Sequence, residues 1–276
     1  DQLIRAQEMT RDFNDDWLSS GFVKMFMDGV IDSKTAYMLN DYPGKVGCRS
    51  EPLFAAQEFN EIATKIDAMG LQVAVHAIGD GAVRTTIDGY EVAQIINGKR
   101  DSRHRIEHIE LIDRSDIPRL GALGIVASLQ PSHPPGAMDF DLEPSLSVIG
   151  KERWADAFLW KTLADHGAHV AYASDWPVTD VSVMRGLQAS LTRNPYDATC
   201  RDERLSRYES LRAYTAGGAW AAHRELKTGQ LKSGLAADMV MIDGDIEATP
   251  ADQLGQTPIL LTIVGGRITY KATKQE

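Results

Sequence analysis

The chain has 276 residues, of which 43% are hydrophobic and 25% charged, the composition of a folded globular protein rather than a disordered or fibrous one. Its formal net charge of -10 sets up a field that repels polyanions, so nucleic acid and anionic membrane are not expected partners. No run reaches the roughly 18 to 20 apolar residues that would span a bilayer.

Short β-rich runs that end in polar residues alternate with helical periodicity along the chain, which predicts βα units on a parallel sheet. The first run is GFVKMFMDG at 21–29. A long connection, 28–51, rich in Gly, Pro, Asp and Ser, comes next, and then a helix over 52–69 with apolar Phe54, Phe59, Ile62 and Ile66. The second run, LQVAVHAIGD at 71–80, leads into a helix over 82–96. The third, HRIEHIE at 104–110, leads into a helix over 115–123 with Pro118 in its first turn. The fourth, GIVASLQPSH at 124–133, opens a second long connection, 131–153, and the fifth is AHVAYASDWP at 168–177. In a parallel barrel, connections that follow a strand's C-terminal end lie on the active-site face.

Beyond the fifth run the pattern changes. A helix is expected over about 206–223, where LRAYTAGGAWAAHR is rich in small residues. After it, TGQLKSG, ADMVMID and ILLTIVGGRITYK alternate apolar and polar residues between turn-forming glycines and read as short antiparallel strands. The expected organisation is a barrel-type domain over 1–227 and a small β-subdomain over 228–276.

Cys48 and Cys200 are the only cysteines. Their separation encodes neither a disulfide framework nor a thiolate zinc site, and a reducing cytoplasm is the expected compartment. The opening DQLIRAQEMTRDFNDD has no basic stretch ahead of an apolar one, so no secretory leader is read there.

Hydrolytic metals need nitrogen and oxygen ligands converging on one point, and a parallel barrel supplies them from the C-terminal ends of several strands. Those ends offer Lys24, His76, His108 and Asp175. Each has an ordinary alternative: a salt-bridged lysine, two hydrogen-bonded strand histidines, and a turn-forming or helix-capping aspartate. In RIEHIE, strand alternation sends Glu107 and His108 to opposite faces, so only one of them can point at a ligand. His133 and Trp176, on the rim loops, are candidate substrate contacts, a donor for a carbonyl oxygen and an apolar wall, with plain surface residues as the alternative.

The order Lys, His, His, Asp, each member on a separate strand end, carries more than any one of them. Together with VKMFMDG and the nearby SKTA, VHAIGDGAV, RHRIEHIE, LQPSH, ASDWPV, TGQLKSGLAADMVMID and VGGRITY, it resembles the amidohydrolase superfamily and, within it, amidohydrolase family 3. The resemblance spans essentially the whole chain. It implies an α/β fold of the (β/α)8 TIM-barrel type, with His76 and His108 as ligands of a second metal. It also implies that Asp175 is both a ligand and the general base or acid, and that Lys24 is a carboxylated, metal-bridging lysine. A carbamate on Lys24 would turn a cation into an anionic oxygen ligand.

The implied reaction is hydrolysis of a C–N bond in a small-molecule, amide-type, non-peptide substrate by metal-activated water, with Asp175 handling the proton. Zinc is the first expectation, as one or two ions in the complete protein; iron, manganese and nickel suit the same donors. A deaminase is the alternative among enzymes, and a non-catalytic regulatory or binding protein that keeps the fold is the alternative outside them.

One departure stands out. The family's first strand carries an HxH pair, and no HxH occurs here. A closed barrel needs eight strands over about 250 residues, whereas only about the last five βα units are legible. Such a piece would expose long apolar edges. It is expected to be part of a longer polypeptide, with a homo-oligomer left open, and to hold a single ion near His76 and His108 beside an unmodified Lys24.

Overall fold

The protein is described by a computed structural model over residues 2–138 and 140–273. A helix, α1 (Gln2–Asp12), comes first; none of its residues is buried, so it leaves no apolar stripe for the sequence pattern to reveal. Five strands follow where the apolar runs lie: β1 (Phe22–Phe26), β2 (Gln72–Ala77), β3 (Arg105–His108), β4 (Val126–Leu129) and β5 (His169–Tyr172). They form one sheet in the order β1-β2-β3-β4-β5. The register is parallel, placing Lys24 beside Ala74, Phe26 beside His76, Ala77 beside His108 and Glu107 beside Ser128.

Strands β2 and β4 are buried along their whole length, as strands covered on both faces must be. Strand β1 lies at the sheet's edge and alternates exposed with partly buried residues. The architecture is therefore α/β around a parallel five-stranded sheet.

The chain divides into two compact units. The first takes the residues up to Ser128, Glu143–His169 and Tyr196–Arg201; the second takes Leu129–Leu142, Val170–Pro195 and the residues from Asp202 onward.

In the first unit α2 (Ala56–Ala68) buries Phe59, Ala63 and Ile66, and α3 (Asp80–Asn97) buries Val83, Ile87, Tyr90 and Ala93 at helical spacing. The helix expected from residue 52 begins four residues later. The Leu53 N–H is donated to the Met27 carbonyl at 2.7 Å, which ties this stretch to the end of β1 instead of a helical turn. Pro118 does sit in the first turn of α4 (Ile117–Leu123). The connection expected over 131–153 is not wholly irregular. It contains α5 (Ser145–Ile149) and runs into a 3-10 turn, Lys151–Asp156, ahead of α6 (Trp160–Asp165).

In the second unit α7 (Val183–Thr192) is capped by Ser182, whose Oγ accepts the Arg185 N–H at 3.3 Å. Its Met184 and Leu187 pack with Leu254 in a small core flanked by Leu211, Tyr214, Ile242 and Ile259. The helix expected over 206–223 is interrupted: α8 (Arg207–Arg212) passes through a π-turn at Ala213–Gly217 into α9 (Gly218–Ala221). A Ser206–Glu209 capping box starts it.

Strands β6 (Met239–Ile242), β7 (Ile259–Val264) and β8 (Arg267–Lys271) form an antiparallel sheet. Gly265 and Gly266 both take positive φ, 56° and 76°, as the tight turn between β7 and β8 requires. TGQLKSG, read above as a strand, is irregular, with Gly229 and Gly234 at φ 91° and 92°. Among the described residues no helix is long and apolar enough to cross a membrane.

Candidate metal centre

In the first unit, β1, β2 and β3 end beside one another and place Asp28, His76 and His108 at their C-terminal ends. Both histidines are buried, and their rings meet edge to face with centroids 4.4 Å apart and planes at 67°. Phe26 also packs on His76, at 4.9 Å between centroids.

The tautomer of His76 follows from its partner. Its Nε2 lies 3.0 Å from the Gly29 carbonyl oxygen, which can only accept, so Nε2 carries the hydrogen and the neutral ring keeps its lone pair on Nδ1. That lone pair is the form a metal ion requires.

The turn after β3 is strained. His108 and Ile109 take φ values of 81° and 49°, a left-handed conformation that costs non-glycine residues of order 1–3 kcal/mol each and clusters at functional sites. Two backbone bonds hold it, Ile109 N–H to Ala77 O at 3.1 Å and Leu111 N–H to Ile78 O at 3.0 Å. Glu107 lies on the opposite face, its Oε1 3.3 Å from the Arg105 Nε, so of this pair His108 is the one held at the buried strand end.

Lys24 is exposed, because β1 is an edge strand and its apolar neighbours in sequence do not cover it. Its ammonium lies 5.0 Å from the centre of the Phe26 ring, the same ring that packs on His76.

Asp28 is the residue the sequence reading gave no role. It is 3% exposed and accepts three backbone N–H groups: Ile78 on Oδ1 at 3.0 Å, and Tyr37 and Gly79 on Oδ2 at 2.9 and 2.8 Å. Its Oδ1 lies 3.7 Å from the His76 Nε2. Burial pushes its carboxyl up to about 7 against the pull of the three donors, with Glu110 adding to the rise. The signal was an aspartate directly after an apolar strand, in MFMDG, but its partners are distant in the chain.

The 28–51 connection is clamped by the same groups. Asp80, at the start of α3, accepts the Leu39 N–H on Oδ1 at 2.9 Å, and Tyr37 O accepts the Gly81 and Ala82 N–H groups, each at 3.1 Å. Gly79 permits this approach, since a Cβ there would stand 2.1 Å from Tyr37 O.

The second unit holds the remaining candidates. Asp175 also takes a left-handed conformation, φ 57°, and its carbonyl accepts the Val178 N–H at 2.8 Å. Ser174 helps close the turn, its Oγ accepting the Trp176 N–H at 3.2 Å. The His133 Nε2 lies 3.9 Å from the Asp175 Oδ2, and Phe140 meets the His133 ring edge-on at 5.6 Å. Trp176 is 68% exposed, which leaves its indole open to a ligand.

A model of the amidohydrolase family matches residues 1–270. The chain is 33% identical over 259 residues to Protein LONG AFTER FAR-RED 3 of Arabidopsis thaliana, covering 92% of this chain and 44% of that protein. It is 23% identical over 275 residues to the N-substituted formamide deformylase of Arthrobacter pascens, covering 93% of this chain and 46% of that one. The crystal structure of an uncharacterized metal-dependent hydrolase from Pyrococcus furiosus superposes with a TM-score of 0.71 at 27% identity, covering 85% of this chain and 47% of the other. The chain spans about half the length of the relatives it matches.

Proposed function

The chain belongs to the amidohydrolase family, and from that premise we propose that it carries the metal-binding histidines of a hydrolase cleaving C–N bonds of amide type in small, non-peptide substrates. The observation that carries this reading is the buried His76–His108 pair at adjacent strand ends, with the His76 lone pair fixed on Nδ1 by the Gly29 carbonyl. The family, the hydrolase from Pyrococcus furiosus and the formamide deformylase support it.

His76 and His108 would supply two imidazoles to a divalent ion, zinc being the first choice, and the resemblance to the family assigns Asp175 as its carboxylate ligand. When bound, such an ion lowers the pKa of its water and polarises the substrate carbonyl. Lys24, as a carbamate, would supply an anionic oxygen ligand to a second ion.

Asp175 takes the proton of the attacking water and delivers it to the leaving nitrogen. Its carboxylate is partly exposed, 42% accessible. His133 donates a hydrogen bond to the substrate carbonyl oxygen, and Trp176 lies against the substrate's apolar substituent. Turnover of N-formyl, N-acyl and cyclic amides by the metal-loaded protein tests the reading. Release of free amine or ring-opened acid is expected, and its absence across that panel with bound metal would reject it.

A further inference from the structure

We propose that Asp28 is a positioning residue that fixes His76 in its Nε2–H tautomer and thereby presents Nδ1 to the metal; the metal part of this rests on the function proposed above. The Asp28 carboxylate sits in a cage of backbone donors. Oδ2 is saturated by the N–H groups of Tyr37 and Gly79, and Oδ1 accepts from Ile78, so the group cannot rotate without breaking buried hydrogen bonds. That cage joins the end of β1, the end of β2 and the 28–51 connection.

Fixed in this way, Oδ1 faces the Nε2 of His76 at 3.7 Å. The three N–H donors favour the ionised carboxyl; a lone pair on Nε2 would then point at a carboxylate oxygen and be repelled, whereas an N–H there is attracted. Asp28 also anchors the backbone immediately before Gly29, whose carbonyl takes that N–H at 3.0 Å. The carboxylate and the carbonyl therefore act on the same nitrogen in the same sense. Partners of this kind set the tautomer, orientation and basicity of a metal-binding imidazole, and losing one typically weakens metal binding 10–100-fold.

Asp28→Asn separates charge from shape. The amide oxygen must remain where it satisfies two N–H groups, at the Oδ2 position. Its NH2 then replaces Oδ1, facing the Ile78 N–H and the His76 Nε2. A donor now faces that nitrogen and opposes the Gly29 carbonyl, so the Nδ1–H tautomer gains population.

The test reads the imidazole directly, by long-range 15N–1H correlation on chelator-treated, 15N-labelled protein, with the His76 signals identified by their loss in His76→Gln. The wild type is expected to show the Nε2–H pattern, and Asp28→Asn an added Nδ1–H population with 10- to 100-fold weaker Zn2+ binding in a competition titration. Thr35→Val serves as the control. It removes the Thr35 Oγ1 that accepts the Val30 N–H at 3.0 Å, loosening the same turn without touching the carboxylate, and should keep the wild-type tautomer at a lower melting temperature. An unchanged tautomer in Asp28→Asn, or a shift in Thr35→Val as well, overturns the proposal. Because the tautomer is read without metal, a shift in Asp28→Asn with no Zn2+ binding in any variant would leave Asp28 in its role and reject the metal reading alone.

Discussion

His76 and His108 meet edge to face, 4.4 Å between ring centroids, across the boundary of two adjacent parallel strands. Buried imidazoles each need a hydrogen-bond or metal partner to offset lost solvation. One face of the His76 ring system is already spoken for, since Nε2 is turned to the Gly29 carbonyl. Nδ1 is thereby directed as the acceptor nitrogen of the ring, beside a second histidine whose backbone is strained into place.

If Asp175 moves the proton, Asp175→Asn keeps the shape and loses the base. The expected outcome is a fall in kcat of at least about 100-fold, the scale of a lost general base, with circular dichroism and most of the bound metal unchanged. A near-normal rate would remove Asp175 from that role.

Gly79→Ala should destabilise the first unit by about 1–3 kcal/mol, the usual scale for forcing an added methyl into packed structure. The new Cβ would stand 2.1 Å from the Tyr37 carbonyl oxygen, which is backbone and cannot turn aside. Urea unfolding of the variant checks this, and an unchanged midpoint would show that Tyr37 is not clamped against α3.

A buried pair on the first unit predicts a pH dependence of stability. The His104 Nδ1 accepts the Val73 N–H at 3.0 Å and its Nε2 lies 3.1 Å from the Asp67 Oδ1. Burial holds His104 below its usual pKa, with Asp67 opposing. The unfolded chain therefore binds a proton at His104 that the folded one refuses, and stability falls as pH drops below about 6.5 toward the folded value. Asp67 behaves in the depressed sense. Burial alone would raise it, but hydrogen bonds from His104 and Asn97 and the charge of Arg100 hold it at about 2. Its contribution is present above about 3.8 and lost as pH falls from there toward 2. His104→Gln should flatten the unfolding free energy between about pH 7 and 5 relative to wild type; parallel curves would contradict the assignment.

Trp176→Ala should leave stability within about 0.5 kcal/mol, because a side chain 68% exposed contributes little packing. For substrates with a bulky apolar substituent it should raise KM with little change in kcat, and it should not affect the smallest formamides. A loss confined to kcat would place Trp176 elsewhere in the reaction.

The five parallel strands were legible because a period of two, broken at polar residues, survives in short runs such as QVAVHA. Every one of them lies inside the run that announced it. Helix α7 was not read, since the residues its apolar face covers, Leu254 among them, lie far downstream. TGQLKSG alternates like a strand, yet its two glycines adopt left-handed turns. The positions of His76 and His108 in strands, and of Asp175 shortly after one, followed from the apolar runs that precede them. The role of Asp28 did not, because its cage is built from backbone N–H groups 9, 50 and 51 residues away, which no local pattern encodes.

His76 and His108 are expected to hold a divalent metal, and metal analysis tests this most directly. Wild-type protein and the His76→Ala/His108→Ala double variant would be loaded separately with Zn2+, Mn2+, Co2+, Ni2+ and Fe2+, dialysed, and assayed by mass spectrometry for bound ion per chain. About one ion per chain or more is expected in the wild type for at least one metal, and near none in the double variant, with both remaining folded. A wild type that retains no ion of any kind, or a double variant that retains as much as the wild type, would contradict the account.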